Sequence, residues 1–518
     1  MTLPSTSHHL DIKHFQGVPE VSLDSSSSNA SSYSSEKPKL VTWDSPSDPE
    51  NPKNWPRLKK WRATIVISLF AFTAPMSSSM SAPALDIISK ELKIPLGMQT
   101  NLVMSIFLLA YSLGPFVLGP CSEIWGRKRI VQTGNVIFLL FNTACGFSRN
   151  SGELVLFRFL AGVGGSASVG IGSAVISDCW AVENRGQAMS VYQLAPVLGP
   201  VIAPIIGAYI SQYTTWRWAF WSLSLFCLIL QFIAFIAFPE TYTPRLLNLK
   251  ARRLRESTQN PDLRTEWDDK TLSNILRISL TRPWKMLGTQ PIIQLLCLYQ
   301  AFNFGMLYLI ISSLPTLWEE RYGMAKGTAS LNYLALLGSV IGSTIFGPSI
   351  DSFYRYLTQR NINNRSDIDS LASEKGDTSN NQEGVPEYRL PLMVPASLIS
   401  AGGIFLFGWS AQAKMHWIVP DIGIALFTAA SVICYLSIQM YLVDTYTRYA
   451  ASASAASCFL RSIAALTFPL FAPGLFERLG YGMGCSVLGC VCLGLGIPAP
   501  ILLWRVGARL RARSGFVE

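Results

Sequence analysis

The chain has 518 residues, of which 49% are hydrophobic and 14% charged, with a formal net charge of +10. An average soluble domain carries about 25% charged residues, so composition argues against a water-soluble enzyme or a nucleic-acid binder. The apolar residues stand in long blocks, as in a membrane-spanning chain, and the basic residues flank them, where they set orientation and meet headgroups. Most of the ten cysteines (Cys145, Cys179, Cys227, Cys297, Cys434, Cys458, Cys490, Cys492) fall within or at the ends of apolar runs without metal-ligand spacing, and read as small packing residues. None of the four histidines lies deep in an apolar run, so no metal site and no cofactor is expected.

Residues 1–50 are rich in Ser, with no apolar block near Met1. They read as a disordered cytoplasmic tail without a cleavable signal, carrying serines open to phosphorylation. This tail extends to residue 60, and Trp55 and Trp61 with Lys59, Lys60 and Arg62 form an interfacial collar. Twelve spans follow, at 63–85, 99–119, 130–147, 154–178, 189–210, 217–238, 290–314, 329–349, 391–409, 417–439, 450–473 and 483–504. The predicted fold is an all-α polytopic membrane protein of two pseudo-symmetric six-helix bundles, 61–238 and 289–505. A linker, 239–288, joins them, and a tail, 506–518, follows. The segment Lys250–Arg255 in the linker reads either as a helix at the headgroups or as solvated chain. A polar loop, 356–387, is expected to lack structure. Loops alternate in basic content, which places both termini in the cytoplasm.

Between the second and third spans runs Gly119-Pro120-Cys121-Ser122-Glu123-Ile124-Trp125-Gly126-Arg127-Lys128-Arg129. Glycine at both ends allows a sharp turn and a close approach of helices. Glu123 at a membrane boundary needs a partner, and Arg127 is the obvious one. The spacing recurs as Gly347, Asp351 and Arg355, and Pro200 and Pro204 recur as Pro469 and Pro473 in the equivalent span. Two facing homologous bundles place a substrate site near the midplane between them. The loop pattern closely resembles the loop between spans 2 and 3 of the major facilitator superfamily. That resemblance implies that Gly119, Glu123, Gly126, Arg127 and Lys128, with Gly347, Asp351 and Arg355, latch the halves.

Arg158 lies inside the fourth span, where a charge is costly and marks either function or a structural bond to backbone carbonyls. By resemblance to the superfamily it is associated with proton coupling. The acid that it senses is then Asp86, Asp178 or Glu123, since span interiors offer no other. Gly199-Pro200 in the fifth span, with Pro204 and Gly207 following, resembles the signature of the superfamily's antiporters. Ala203 and Pro204 depart from that signature. Narrower resemblance to fungal twelve-span drug:proton antiporters is carried by Phe238-Pro239-Glu240-Thr241-Tyr242, Pro386-Glu387-Tyr388-Arg389-Leu390-Pro391, Tyr441–Tyr446 and Phe459-Leu460-Arg461-Ser462. Ser457 stands where that family has an asparagine. A second buried arginine, Arg461, reads as structural.

A cavity lined from both halves is expected to draw on Tyr192, Gln193, Gln300, Asn303, Tyr308, Asn332, Tyr333, Tyr435 and Gln439. Asp86, Glu123, Asp178, Asp421 and Asp444 all lie near span ends, and a site without a deep acid suits neutral or weakly charged aromatic compounds better than polycations. No Gly-Lys-Ser/Thr phosphate loop is present, which leaves an ion gradient as the energy source. The sequence thus predicts a monomeric, proton-coupled exporter of small, largely apolar compounds (drug, toxin or fungal secondary metabolite), with protons and membrane lipids as its other partners. It is not an enzyme. The expected location is the plasma membrane, with the vacuolar membrane as the alternative. A polyamine exporter or a sugar or nutrient importer is the competing reading.

Overall fold

A computed structural model describes residues 40–95, 98–181, 185–260, 262–265, 272–371, 385–446, 449–512 and 514. The first 39 residues of the serine-rich tail, and 372–384 of the polar loop, lie outside the described residues. Seventeen α-helices dominate what is described, and Leu40 and Arg264 form an isolated parallel bridge.

The first half runs α1 (Arg57–Met80), α2 (Leu85–Glu91), α3 (Met98–Trp125), α4 (Arg127–Cys145), α5 (Ser151–Cys179), α6 (Arg185–Tyr213) and α7 (Arg217–Ala237). Local chemistry sets several ends. The Asn150 side chain accepts from Glu153 N at 2.8 Å, while the Glu153 carboxylate reaches back to Asn150 Nδ2 and Arg149 N, both at 2.9 Å. This reciprocal capping starts α5. Two helices, α8 (Thr243–Thr258) and α9 (Leu272–Thr289), lead to the second half. That half runs α10 (Pro291–Pro315), α11 (Lys326–Leu331), α12 (Gly338–Ile341), α13 (Gly347–Leu371), α14 (Met393–Gln412), α15 (Ile418–Thr445), α16 (Ala450–Gly496) and α17 (Pro498–Ala512).

Ten helical stretches are long and apolar enough to cross a membrane. α4 falls short in apolarity but has the length, and its polar face is matched by α7. Asn135 Nδ2 donates to Gln231 Oε1 at 2.8 Å, Gln132 Nε2 to the Ala234 carbonyl at 3.2 Å, and Asn142 Nδ2 to Ser224 Oγ at 2.9 Å. Such pairing lets a polar helix sit inside a bundle. The last of the ten stretches, Ser452–Ala512, is 61 residues long. At 1.5 Å per residue it would span about 90 Å, three times a hydrocarbon core. It breaks at Gly480, where φ is +71°, and turns back as a second crossing. With α4 and this turn, the crossings among the described residues number twelve.

One expectation changes, and one choice left open by the sequence narrows to a helix. The polar stretch 356–387 is not all loop, because α13 continues to Leu371. Residues 349–371 contain neither Pro nor Gly, so nothing in the sequence stops the helix. The basic helix around Lys250 is clasped by the chain ahead of α1. Lys250 Nζ meets Asp44 at 2.8 Å and the buried Asp48 at 3.2 Å, and Val41, Ala251 and Leu263 pack together. Burial alone would lower the Lys250 pKa, but its bonds to the two aspartates outweigh this and raise it.

The halves meet along α3 against α16, and α6 against the broken helix α11–α12. One apolar core fills the second half and extends into the first at the end of the bundle away from the termini. It joins Ala82, Leu85, Met104 and Leu154 to Leu309, Leu314 and Trp318. At the end that carries the termini, the first half keeps its own core around Trp55, Ile67, Phe70 and Trp180. The halves also touch nearer the terminus end, where Phe116 of α3 packs with Trp284 of α9 and Phe459 of α16.

Candidate functional site: an ion-paired latch and a buried arginine

At the terminus end of the first half, Gly126 separates α3 from α4 with φ +94°. A Cβ there would lie 2.3 Å from Glu240 Oε2, so the position excludes a side chain twice over. The Glu240 carboxylate accepts from Arg127 N at 2.9 Å and Lys128 N at 3.3 Å, and from Thr241 N and Tyr242 N at 3.0 and 3.1 Å. It caps the orphan donors that open α4. This gives Pro239-Glu240-Thr241 a physical role that the sequence had offered only as a family likeness. Gly126→Ala should lower thermal stability by about 1–3 kcal/mol, through positive φ and a displaced Glu240. A thermal melt of the purified variant at or above the parent's would contradict this account.

Arg127 does not pair with Glu123. Its Nε lies 3.4 Å from Asp178 Oδ2, Nη1 donates to Ser122 Oγ at 2.5 Å, and the guanidinium stands 4.5 Å over the Tyr242 ring. The turn at Gly126 swings Arg127 toward the C-terminus of α5, where Asp178 and the negative helix end both favour a cation. Glu123, on the last turn of α3, is exposed. Close by, the Tyr242 phenol is held up to about 12 by burial first and by the Glu123 carboxylate next. Gly119 serves no close approach, since a Cβ there would meet nothing within 4 Å.

The second half repeats the geometry with other residues. Arg389, at the approach to α14, bonds Asp351 through Nη1 and Asp444 Oδ2 at 3.0 Å through Nε. Asp444 and Asp178 are both the penultimate residues of their helices, α15 and α5. Arg355, the counterpart expected from spacing, is exposed and has no ion pair among the described residues. Nearby, the buried Glu387 accepts two bonds from Arg511, at 2.9 and 2.8 Å. Arg389, Glu387, Arg511, Asp444 and Ser122 were not singled out from sequence as latch residues. Only Asp444 had a signal available, its helix-end position matching Asp178.

Arg158 is fully buried in α5. Nη1 donates to the Ser77 carbonyl at 2.9 Å and Ser77 Oγ at 3.0 Å, Nη2 to the Ser78 carbonyl at 3.4 Å, and Nε to the Val103 carbonyl at 3.2 Å. Its charge rests on the last turn of α1, on α3, and on the faces of Phe107 and Phe220. No carboxylate among the described residues reaches it. Asp178 is twenty residues further along α5, about 30 Å at 1.5 Å per residue. Asp86 is exposed on α2, and Glu123 is exposed on the last turn of α3. The three acids expected to share its site are therefore elsewhere.

α6 packs hard on α1. A Cβ on Gly199 would lie 2.9 Å from Met76 N, and one on Gly207 2.1 Å from the Met80 carbonyl oxygen. Pro200 and Pro204 lie in the helix between these contacts.

The residues expected to line a cavity divide in two. Tyr308 Oη is 3.1 Å from Ser78 Oγ, across the halves. Tyr435 and Gln439 are half-buried, with Gln439 Oε1 accepting from Ser454 at 3.4 Å. Gln300 Oε1 bonds Ser457, the residue standing in for asparagine, and its Nε2 is buried without a partner. Asn303 accepts from Ser431 at 3.3 Å. Tyr192 donates to carbonyls of α5, Asn332 to Ala329, and Tyr333 to Ile311, so among the described residues Tyr308 alone of the nine bonds across the halves. Gln193 is exposed. Tyr111, not expected from sequence, stands within electrostatic reach of Tyr192, Tyr308 and Arg461.

Comparison with known proteins agrees with this architecture. The family model of the Major Facilitator Superfamily matches residues 67–469. The chain is 43% identical over 482 residues to the efflux pump vrtL of Penicillium aethiopicum, covering 93% of this chain and 92% of that one. It is 37% identical to the efflux pump radE of Floropilus chiversii, covering 92% and 86%. Among solved structures, it resembles the xylose transporter XylE from E. coli in a partially occluded inward open conformation. The TM-score is 0.62 at 15% identity, over 86% of this chain and 98% of that one. Crossing helices, duplicated ion-paired turns and these likenesses agree, and the chain belongs to the Major Facilitator Superfamily.

Proposed function

We propose that this protein is a secondary active exporter that moves small, largely apolar aromatic compounds out of the cytoplasm, driven by protons entering down their gradient. The observation that carries the reading is the antiporter-type sequence of α6, seated on α1 through Gly199 and Gly207. Relatives named efflux pumps, at 37–43% identity, support the same direction. Asp178 is the carboxylate we assign to the proton. It is the one acid of the three expected that faces a guanidinium, Arg127 at 3.4 Å. Protonation removes the charge that holds Arg127 and loosens the turn between α3 and α4. Arg158 then acts as a positioning residue, tying α5 to the end of α1 that meets Tyr308. The protein sits in the plasma membrane with both termini cytoplasmic.

Efflux from cells preloaded with a fluorescent aromatic probe, with and without a protonophore, tests the reading. The expected result is retention of the probe when the proton gradient is dissipated. Efflux that ignores the protonophore would leave facilitated diffusion as the better account.

A further inference from the structure

Resting on that exporter reading, we propose that Arg461 recognises an anionic group, and that the preferred cargo is an aromatic weak acid carried as its carboxylate or phenolate.

The argument starts from two arginines with opposite surroundings. Arg158 donates four hydrogen bonds to neutral oxygens and is satisfied by the protein. Arg461, in α16, has five N–H donors to place. It holds a weak hydrogen bond from Nη2 to Cys458 Sγ at 3.6 Å and one to the Tyr435 hydroxyl, and its Nε is buried with no partner. Its guanidinium stands 4.6 Å over the Phe304 ring and 5.4 Å over that of Tyr435. Among the described residues, no carboxylate pairs with it. Charged side chains at this depth are ordinarily paired, because an uncompensated ion in a low-dielectric interior is costly.

The position excludes a bland resolution. Arg461 follows eleven residues after Ala450, about 16 Å into the crossing, too deep to reach headgroups readily by extending its side chain. Its neighbours come from both halves, with Tyr111 from α3, Phe304 from α10 and Tyr435 from α15. Arg461, Tyr111 and Tyr435 all keep partial accessibility despite this depth. A guanidinium with unused donors, framed by aromatic faces and phenol hydroxyls, fits an aromatic ring bearing a carboxylate or phenolate. The cargo supplies the counter-charge that the protein lacks, and a cationic cargo is disfavoured by the same charge.

Purified full-length protein in lipid nanodiscs is melted with matched aromatic pairs of one to three rings. Each pair is a carboxylic acid, such as 2-naphthoate, and its methyl ester. The expected result is that acids raise the melting temperature at concentrations at least tenfold below their esters. Arg461→Met should abolish that preference while leaving ester binding in place, and Arg461→Lys should keep part of it. Equal shifts from acid and ester, a preference that survives Arg461→Met, or no shift from any acid would each overturn the proposal. Arg461→Met that fails to fold leaves Arg461→Lys and the wild-type acid-to-ester ratio to decide. Binding is read without a gradient, so this outcome is separate from the protonophore result: export can stand while anion recognition falls.

Discussion

Arg158→Ala is expected to abolish gradient-driven efflux in protein that still reaches the membrane. The guanidinium is the donor to the Ser77, Ser78 and Val103 carbonyls, which sit on two different helices. Hydrogen bonds from a charged donor contribute about 1.5–3 kcal/mol each, and losing two of them alone amounts to about 3 kcal/mol or more. That corresponds to at least a hundredfold in any step that needs α1 held to α5. Arg158→Lys should also be impaired, because a point ammonium cannot span two helices as the planar fork does. Efflux from loaded cells, normalised to surface protein, gives the answer. Wild-type rates in Arg158→Ala would strip this residue of any role in transport.

The second large effect separates two arginines that symmetry in the sequence would confuse. Arg389→Ala should cost about 2 kcal/mol in stability and most of the transport rate, because it leaves Asp351 and Asp444 facing each other unpaired. The figure is set below that of a fully buried pair, since the two aspartates are 51% and 32% exposed. Arg355→Ala, at an exposed site, should fall within about 0.5 kcal/mol of the parent. Melting curves and efflux of both variants are the measurement. Loss of transport in Arg355→Ala with normal transport in Arg389→Ala would restore the pairing by sequence register.

Crossing helices were legible because lipid forces a long apolar run onto each one. The turn at Gly126 was legible as a turn, since glycine spacing and the basic cluster are local. The partner of Arg127 was not. Asp178 is 51 residues away in sequence, and an acid four residues before the arginine is the nearer choice until the backbone direction at Gly126 is known. Arg389 was hidden for the same reason. The repeat of Gly119, Glu123 and Arg127 in Gly347, Asp351 and Arg355 is a repeat of spacing, while the repeat in space exchanges Arg355 for Arg389. Tyr333 and Asn332 misled in another way. A polar side chain in a span reads as a ligand contact, but each found a carbonyl of its own half. For Arg461 the sequence shows a charge inside a span, but not that its Nε is buried without a partner.

The amide ladder between α4 and α7 bears on the order in which the molecule is made. Asn142 and its acceptor Ser224 are separated by 82 residues of chain. At a synthesis rate of about 5–20 residues per second, α4 emerges roughly 4–16 s before the helix that completes it. Through that interval the side-chain amides of Gln132, Asn135 and Asn142 lack their α7 acceptors. The bonds between the third and sixth crossings are thus among the last that the first half can make, closing only once both helices have been synthesised.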